Sequence, residues 1–235
     1  MGGTMTRPRE SLVRFSRATR LVHAVVGSLV VVCILTAAVL YNGPLSIAVG
    51  HRHTVRQIHI WCGFLLPVPL LLGLASRWYR DDLGRLNRFD ADDRRWLRSR
   101  SRRNGDIRVG KFNAGQKLNA ALSAGALATL LLTGAVMYFH DWTPLSWRRG
   151  ATFTHDWFAI GLGLLVLGHL SFALRDPDAL RSMRTGRVPL DWARREHEGW
   201  VDELARPTLA SWSPGAKPPS TPDAASVGWP GSNTT

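Results

Sequence analysis

The chain has 235 residues, a formal net charge of +13 and a mean hydropathy near zero, at −0.06. A soluble domain would spread its apolar residues along the chain, whereas here they occur in four long blocks separated by arginine-rich stretches. This pattern excludes an ordinary soluble domain and indicates a membrane protein. Because the arginines flank apolar blocks, membrane topology and anionic lipid explain the positive charge, and no nucleic-acid binding is predicted.

The four apolar blocks predict an all-α integral membrane protein, a bundle of four helices. The first block, from about Leu21 to Tyr41, has roughly the 20 residues that cross a hydrocarbon core about 30 Å thick. Pro67 and Pro69 predict a kink in the second helix, which membrane helices tolerate when neighbouring groups satisfy the freed carbonyls. The predicted spans are residues 21–41, 55–79, 116–139 and 153–174.

The polar stretches outside the spans predict the remaining organisation. Residues 1–17 form an N-terminal arm, residues 18–175 the membrane bundle, and residues 176–206 a polar, partly helical extension. Residues 207–235 are rich in proline, serine and glycine without periodicity, which predicts a disordered tail.

The basic residues predict the orientation of the bundle. They concentrate in the N-terminal arm, in the second connection and after the fourth span, and are sparse in the first and third connections. By the positive-inside rule, both termini and the middle loop lie in the cytoplasm. The residues behind this assignment are Arg7, Arg9, Arg14, Arg17 and Arg20, the run from Arg77 to Arg108 with Lys111, and Arg175, Arg181, Arg184 and Arg187, against Arg52, Arg148 and Arg149 on the opposite side.

Four of the eight histidines lie within the predicted spans, where polar side chains are costly and usually functional. One such histidine could simply hydrogen-bond to a neighbouring helix, but four together indicate a shared role. From the orientation, His23 and His169 (the inner pair) lie near the cytoplasmic surface, and His59 and His155 (the outer pair) lie near the outer surface. The sequence therefore predicts two levels, each with two histidines from different helices.

The spacing on the fourth span supports two cofactors. His155 and His169 are 14 residues apart, which is about 21 Å of helical rise and nearly four turns, so both rings face the same side. One helix can therefore offer an axial ligand to each of two haems. Iron with two histidine ligands has no open position for oxygen, so electron transfer is the expected role. No Cys-x-x-Cys-His motif occurs, so the haem would be non-covalent, and Cys33 and Cys62 are expected to pack as small apolar side chains.

The other histidines and the acidic residues of the second connection receive simpler interpretations. His51 and His53 could bind a metal or contact a haem propionate, but a solvated loop pair is the simpler interpretation, and no ligand role is predicted for His140 or His197. The acidic residues are expected to balance the surrounding arginines rather than to feed protons to a site. They are Asp81, Asp82, Asp90, Asp92 and Asp93.

Two motifs resemble a known family. Residues 110–117 read GKFNAGQK, and residues 56–59 read RQIH with Gly63 four residues later. They resemble the Gly-Lys-Tyr-Asn-Ala-Gly-Gln-Lys signature and the Arg-x-x-His-x-x-x-Gly motif of the gamma, or cytochrome b, subunits of membrane-bound formate dehydrogenases. These subunits are members of the bacterial di-haem cytochrome b561-like group. The resemblance covers roughly residues 14–200, and Thr133-Gly134 matches a further pair in the third span.

The resemblance implies a function. It implies two haem b groups ligated by the inner and outer pairs, and a site for menaquinone or ubiquinone formed by Asn113, Gly115 and Gln116 near His169. By their residue types alone, Asn113 to Gln116 would be interpreted as a helix cap. The implied partners are an iron-sulfur subunit and a catalytic dehydrogenase subunit in the bacterial inner membrane. The dehydrogenase chemistry would lie on those subunits, because this chain lacks cysteine clusters.

Three alternatives remain open at this stage. The chain could be the cytochrome b subunit of a hydrogenase, a thiosulfate reductase or another molybdoenzyme, with the same haems and a different partner. A haem-free membrane anchor would explain the spans but not the paired histidines. A transporter with a histidine proton relay predicts broken, repeated helix halves, which the sequence does not have.

Overall fold

The computed structural model describes residues 10–99 and 107–210, with the backbone alone for residues 207–210. In chain order its elements are β1 (Ser11–Val13), α1 (Arg17–Tyr41), α2 (Gly43–Val49), α3 (Arg52–Leu65), α4 (Pro67–Gly73), α5 (Arg77–Leu86), α6 (Ala91–Arg98), α7 (Ala114–Tyr138), α8 (Leu145–Arg175), α9 (Pro177–Thr185), β2 (Arg187–Pro189), α10 (Leu190–Glu196) and α11 (Glu198–Ala210).

These elements form two compact units. The membrane unit comprises Ser16–Arg88 and Gly115–Asp176. The terminal unit comprises the described residues of Met1–Phe15, Phe89–Ala114 and Pro177–Thr235. The two units are described separately.

The described residues contain four helices that are long and apolar enough to cross a membrane: Arg17–Tyr41, Arg52–Gly73, Ala114–Tyr138 and Leu145–Arg175. The prediction of a mostly helical, multi-pass membrane protein is therefore confirmed. Many of their large apolar side chains are exposed, as expected for surfaces that face lipid. Examples are Leu35, Leu132, Leu164 and Phe172.

Local chemistry explains where the first two spans begin and break. Ser16 caps α1, because its hydroxyl accepts a 3.1 Å hydrogen bond from the Thr19 amide. Asn42 ends α1 and then caps α2, with its side chain accepting from the Leu45 amide at 2.9 Å. The second span is interrupted at Leu66, where α3 ends and α4 begins with Pro67, because proline cannot donate the helical hydrogen bond.

Side chains from all four spans meet in the centre of the membrane unit. Val30 of α1, Leu66 between α3 and α4, Ala126 of α7 and Leu162 of α8 form one buried cluster. Val30 lies between His23 and Thr36 along α1, and Leu162 lies between the two histidines of α8. The tightest packing therefore lies between the two predicted histidine levels.

The terminal unit contains a feature that the all-α prediction missed. β1 and β2 form a two-stranded antiparallel sheet in which Leu12 is opposite Val188. Gly186 ends α9 with a φ of 81°, a backbone conformation that favours glycine, and its carbonyl accepts from the amides of Arg14 and Phe15 at 2.8 and 3.1 Å. Strands of three residues are too short to show an alternating pattern in the sequence.

The bounds of several elements differ from the predicted ones. The second span ends at Gly73 rather than at residue 79, because the chain turns and α5 begins at Arg77. The fourth helix begins at Leu145, eight residues before the predicted residue 153, because its first turns are helical but not apolar. α11 extends to Ala210, and residues 211–235 of the predicted tail lie outside the described residues.

Gly73 provides a test of the packing at the end of the second span. A Cβ atom at this position would lie 2.8 Å from side-chain atoms of both Tyr79 and Val22. We expect Gly73→Ala to destabilise the detergent-solubilised protein by about 1–3 kcal/mol through overpacking, measured as a lower midpoint of thermal unfolding. A Cβ atom at Gly84 would meet no atom within 4 Å, so Gly84→Ala is the control. Equal melting curves for the two variants would contradict this packing.

Candidate functional site

The inner pair joins the first and fourth spans. His23 lies on α1 and His169 on α8. Their ring centroids are 6.0 Å apart. This distance between the centroids is too long for a direct hydrogen bond between the two rings, but it leaves room for one atom between them.

The outer pair joins the second and fourth spans. His59 lies on α3 and His155 on α8, and their ring centroids are 6.3 Å apart. The structure thus brings together the histidines that were predicted to lie at the same depth, and the separation of the rings is nearly the same in both pairs. Beside this pair, the Tyr41 hydroxyl donates a hydrogen bond to the Asp156 carboxylate, which links the end of α1 to α8.

The separation within each pair fits an iron with two imidazole ligands. Metal–imidazole bonds are about 2.0 Å long and a bonded nitrogen lies about 1.1 Å from its ring centre, so two opposed rings have centroids about 6.2 Å apart. Among the described residues, no group of three or more histidine, cysteine, aspartate or glutamate side chains could hold a metal ion. Two histidines at this separation are the protein ligands that a haem iron would need in addition to its porphyrin.

Hydrogen-bond partners at Nδ1 also fix the orientation of the two outer histidine rings. His59 Nδ1 lies 2.9 Å from Thr36 Oγ1 and 3.1 Å from the Cys33 carbonyl oxygen. His155 Nδ1 lies 2.9 Å from Thr133 Oγ1. Partners at Nδ1 leave Nε2 as the nitrogen available to a metal, which is the usual arrangement of ligating histidines. Cys33 also contacts α3, with its sulfur 3.8 Å from the His59 carbonyl oxygen.

The residues of the predicted quinone site span the start of the third helix. Asn113 directly precedes α7, and Gly115 and Gln116 lie in its first turn. The assignment of these three residues to a quinone stays a prediction.

The segment that leads to Asn113 is fixed by two buried side chains of the terminal unit. Arg14 Nη2 donates to the Lys111 carbonyl at 3.2 Å, and His197 Nδ1 donates to the Gly110 carbonyl at 2.7 Å. Arg14 and His197 also meet directly, at 3.1 Å between Nη2 and Nε2. Because the guanidinium can only donate, His197 Nε2 is the acceptor and the ring proton lies on Nδ1.

Aromatic rings enclose this polar contact. The Arg14 guanidinium lies 5.0 Å from the Phe15 ring centroid and 4.7 Å from that of Trp192, distances at which a cation is attracted to the ring face. Phe15 in turn packs on Phe112, with centroids 6.0 Å apart. Arg14 is 3% exposed and His197 is 2% exposed, so a small core surrounds the Arg14–His197 contact.

Sequence reasoning missed the role of His197. It was predicted only to lie in a polar extension, whereas it is among the most buried side chains of the terminal unit. The remaining signal was the pair Trp192 and Trp200 on either side of it, since both tryptophans are buried in the core of this unit. A polar segment with regularly placed tryptophans indicates a packed element rather than a solvated one.

The other histidines and acidic residues are now placed. His51, which precedes α3, is exposed and has a φ of 45°. His53 is exposed on α3, where its Nε2 lies 3.5 Å from Nε2 of Gln57 on the same helix. His140 is exposed beside Asp141. Asp90 and Asp93 cap α6 reciprocally, and Asp82 accepts a 3.0 Å hydrogen bond from Thr19, so these carboxylates have structural partners besides arginine.

Four apolar helices with two stacked histidine pairs are the architecture of a membrane cytochrome b. The chain belongs to the prokaryotic cytochrome b561 family, whose model matches residues 14–186. Membership of this family implies haem b binding. The resemblance that the sequence motifs indicated is thereby confirmed at the level of the family.

Curated relatives agree with this assignment. The cytochrome b556(fdo) subunit of formate dehydrogenase from Escherichia coli K12 is 24% identical over 211 residues, which cover 85% of this chain and 96% of that subunit. The nitrate-inducible cytochrome b556(Fdn) subunit of formate dehydrogenase from the same strain is 30% identical over 101 residues, covering 42% and 46%. The formate dehydrogenase cytochrome b556 subunit of Haemophilus influenzae is 26% identical over 167 residues, covering 68% of each chain.

The Arg14–His197 contact predicts a pH dependence. Burial, and then the charge of Arg14, lower the pKa of His197 to about 3. The unfolded chain takes up a proton below about pH 6.5 while the folded unit does not, so stability falls by about 1.4 kcal/mol per pH unit from there towards pH 3. We expect proteolysis of residues 177–210 to accelerate strongly between pH 7 and pH 5, measured against an acid-tolerant protease.

Two variants isolate the contribution of His197. His197→Ala should make the segment less stable at pH 7, because Arg14 and the Gly110 carbonyl lose a buried partner, and should flatten the pH dependence. His140→Ala, at an exposed histidine, should retain the dependence of the wild type. A dependence that survives His197→Ala unchanged would show that another group titrates.

Proposed function

We propose that this chain is the di-haem cytochrome b subunit of a respiratory oxidoreductase, with formate dehydrogenase as the favoured complex. His23 and His169 would hold an inner haem b, and His59 and His155 an outer haem b. Bound haem supplies reversible one-electron chemistry at an iron without an open ligand position. The paired histidine rings at 6.0 and 6.3 Å, one pair from α1 and α8 and one from α3 and α8, support this proposal most strongly.

The protein positions the two centres at different depths. His155 and His169 are separated by about 21 Å of helix, a large part of the roughly 30 Å hydrocarbon core. The buried cluster of Val30, Leu66, Ala126 and Leu162 lies between the two levels along α1 and α8. Electrons would pass between the two centres through this apolar layer.

The distribution of charge gives the direction that we favour. With the arginine-rich connections in the cytoplasm of a bacterium, the outer pair faces the periplasm, where an iron-sulfur subunit would deliver electrons. Quinone, either menaquinone or ubiquinone, would be reduced near the cytoplasmic side at Asn113, Gly115 and Gln116, beside His169. Backbone amides and the Asn113 amide would stabilise the quinone oxygen as it gains charge and a proton. Proton uptake on one side and electron entry on the other would build a membrane potential.

The relatives support the choice of complex. They are named as subunits of formate dehydrogenases, which implies a catalytic dehydrogenase subunit and an iron-sulfur subunit as partners of this chain. The cytochrome b subunit of a hydrogenase, a thiosulfate reductase or another molybdoenzyme is the alternative, because the family shown is broader than one substrate. A haem-free anchor would not require opposed histidine rings at two levels.

Substituting one histidine of each pair tests the assignment of ligands. We expect purified wild-type protein to show two low-spin b haems in the reduced-minus-oxidised spectrum. His155→Ala should lose the outer haem and His169→Ala the inner one, since each iron loses an axial ligand. His53→Ala, at an exposed histidine of α3, should keep both. Two intact haems in both ligand variants would refute this assignment.

The quinone site has a separate test. Asn113→Ala should raise the KM for a soluble quinone by roughly five- to tenfold, the value of about one hydrogen bond, with unchanged haem content. Asn87→Ala, at an exposed asparagine, is the matched control. Steady-state quinone reduction by chemically reduced protein gives both values. An unchanged KM for Asn113→Ala would remove this residue from the site.

A further inference from the structure

The two outer histidines, on different helices, are held by the same arrangement of atoms. On α1, the Thr36 hydroxyl lies 2.7 Å from the Val32 carbonyl oxygen and 3.0 Å from that of Cys33, four and three residues earlier. His59 Nδ1 approaches this hydroxyl to 2.9 Å and the Cys33 carbonyl to 3.1 Å. The ring nitrogen thus meets two oxygen atoms of one helical turn.

The third span repeats this arrangement for the other ring. On α7, the Thr133 hydroxyl lies 2.7 Å from the Thr129 carbonyl oxygen and 3.2 Å from that of Leu130. His155 Nδ1 lies 2.9 Å from the same hydroxyl. Gly134 follows, and a Cβ atom there would lie 3.5 Å from His155 Cε1, so the ring packs closely on this turn.

The hydrogen-bond donors in this arrangement can be assigned. Each threonine hydroxyl has one proton, which it donates to the carbonyl four residues earlier, the shorter of its two contacts with the helix. The hydroxyl oxygen is then an acceptor, and a carbonyl oxygen can only accept. His59 and His155 therefore carry their protons on Nδ1, and the lone pair of each Nε2 is available inside the bundle.

We propose that Thr36 and Thr133 are positioning residues that select the ligating tautomer of the outer pair and lower the reduction potential of the outer haem. The inference rests on the proposed function, because it needs haem at this pair. A hydrogen bond from Nδ1–H to an oxygen makes the imidazole a stronger electron donor through Nε2. A stronger donor stabilises ferric over ferrous iron, and the potential falls.

The inner pair lacks this arrangement. Within residues 10–99 and 107–210, neither His23 nor His169 has a protein hydrogen-bond partner at a ring nitrogen. The threonine effect therefore acts on the outer centre alone and lowers its potential relative to the inner centre. A lower outer potential favours electron movement from the outer to the inner centre, which agrees with the direction proposed above.

Isosteric substitution tests the proposal. Thr36→Val and Thr133→Val keep the shape of the side chain but remove the hydroxyl acceptor, which takes this partner from His155 Nδ1 and leaves His59 Nδ1 only the Cys33 carbonyl. Each substitution should raise the midpoint potential of the outer haem and leave that of the inner haem unchanged. We expect about a tenfold change in the relative affinity for ferric and ferrous iron, which is about 59 mV for one electron. Thr129→Val is the matched control, since the Thr129 hydroxyl donates to the Gly125 carbonyl and, among the described residues, has no hydrogen bond to a histidine.

The readout is a spectroscopic redox titration of purified protein, in which His59→Ala identifies the outer component by its loss. Wild-type potentials in both valine variants, with both haems present, would overturn the inference and leave the proposed function intact. Absence of haem from the wild type would instead refute the proposed function. If a valine variant lost the outer haem, the corresponding serine variant, Thr36→Ser or Thr133→Ser, would test the hydroxyl directly. Retention of the outer haem in the serine variant would support the proposed role of the hydroxyl, and loss of that haem would overturn it.

Discussion

A histidine ring inside the hydrocarbon of a bilayer is costly unless its nitrogens have partners, and the outer histidine pair shows how the membrane unit meets this cost. The cost of an unpaired polar group there is several kcal/mol. In the outer pair, Nδ1 of each ring is bonded to a turn of a neighbouring helix. The centroids of the two rings are separated by a distance that fits an iron between them and is too long for a direct hydrogen bond. The remaining features of the bundle keep this pair apart from the inner pair.

The fourth span determines the spacing of the two pairs, because it supplies one ring to each pair. The nearly integral number of turns between His155 and His169 aims both rings at the bundle interior. Leu162 lies midway between them and packs with Val30, Leu66 and Ala126, so one apolar layer separates the two levels. Each of the other three spans supplies, at the matching depth, either the second histidine ring of a pair or a threonine that accepts a hydrogen bond from a histidine of another helix.

Much of this organisation could be predicted from the sequence, and the misses have physical reasons. The length of the apolar blocks predicted all four spans. The distribution of basic residues gave the orientation of the helices, and the depth of each histidine in that orientation predicted the two pairs. Hydropathy could not show that α8 begins at Leu145, since polar residues also form helix. Nor could it show the sheet of β1 and β2 or the burial of His197, because these depend on contacts between residues more than 80 positions apart. The resemblance pointed to Thr133 but gave it no role, and nothing in the sequence singled out Thr36.

The central claim, two bis-histidine centres in one chain, is tested most directly by counting. The measurement is haem iron per polypeptide in the purified wild-type protein, combined with electron paramagnetic resonance of the ferric form. We expect two irons per chain, both low-spin with signals of two axial imidazoles. One iron, none, or a high-spin centre with an open ligand position would contradict it.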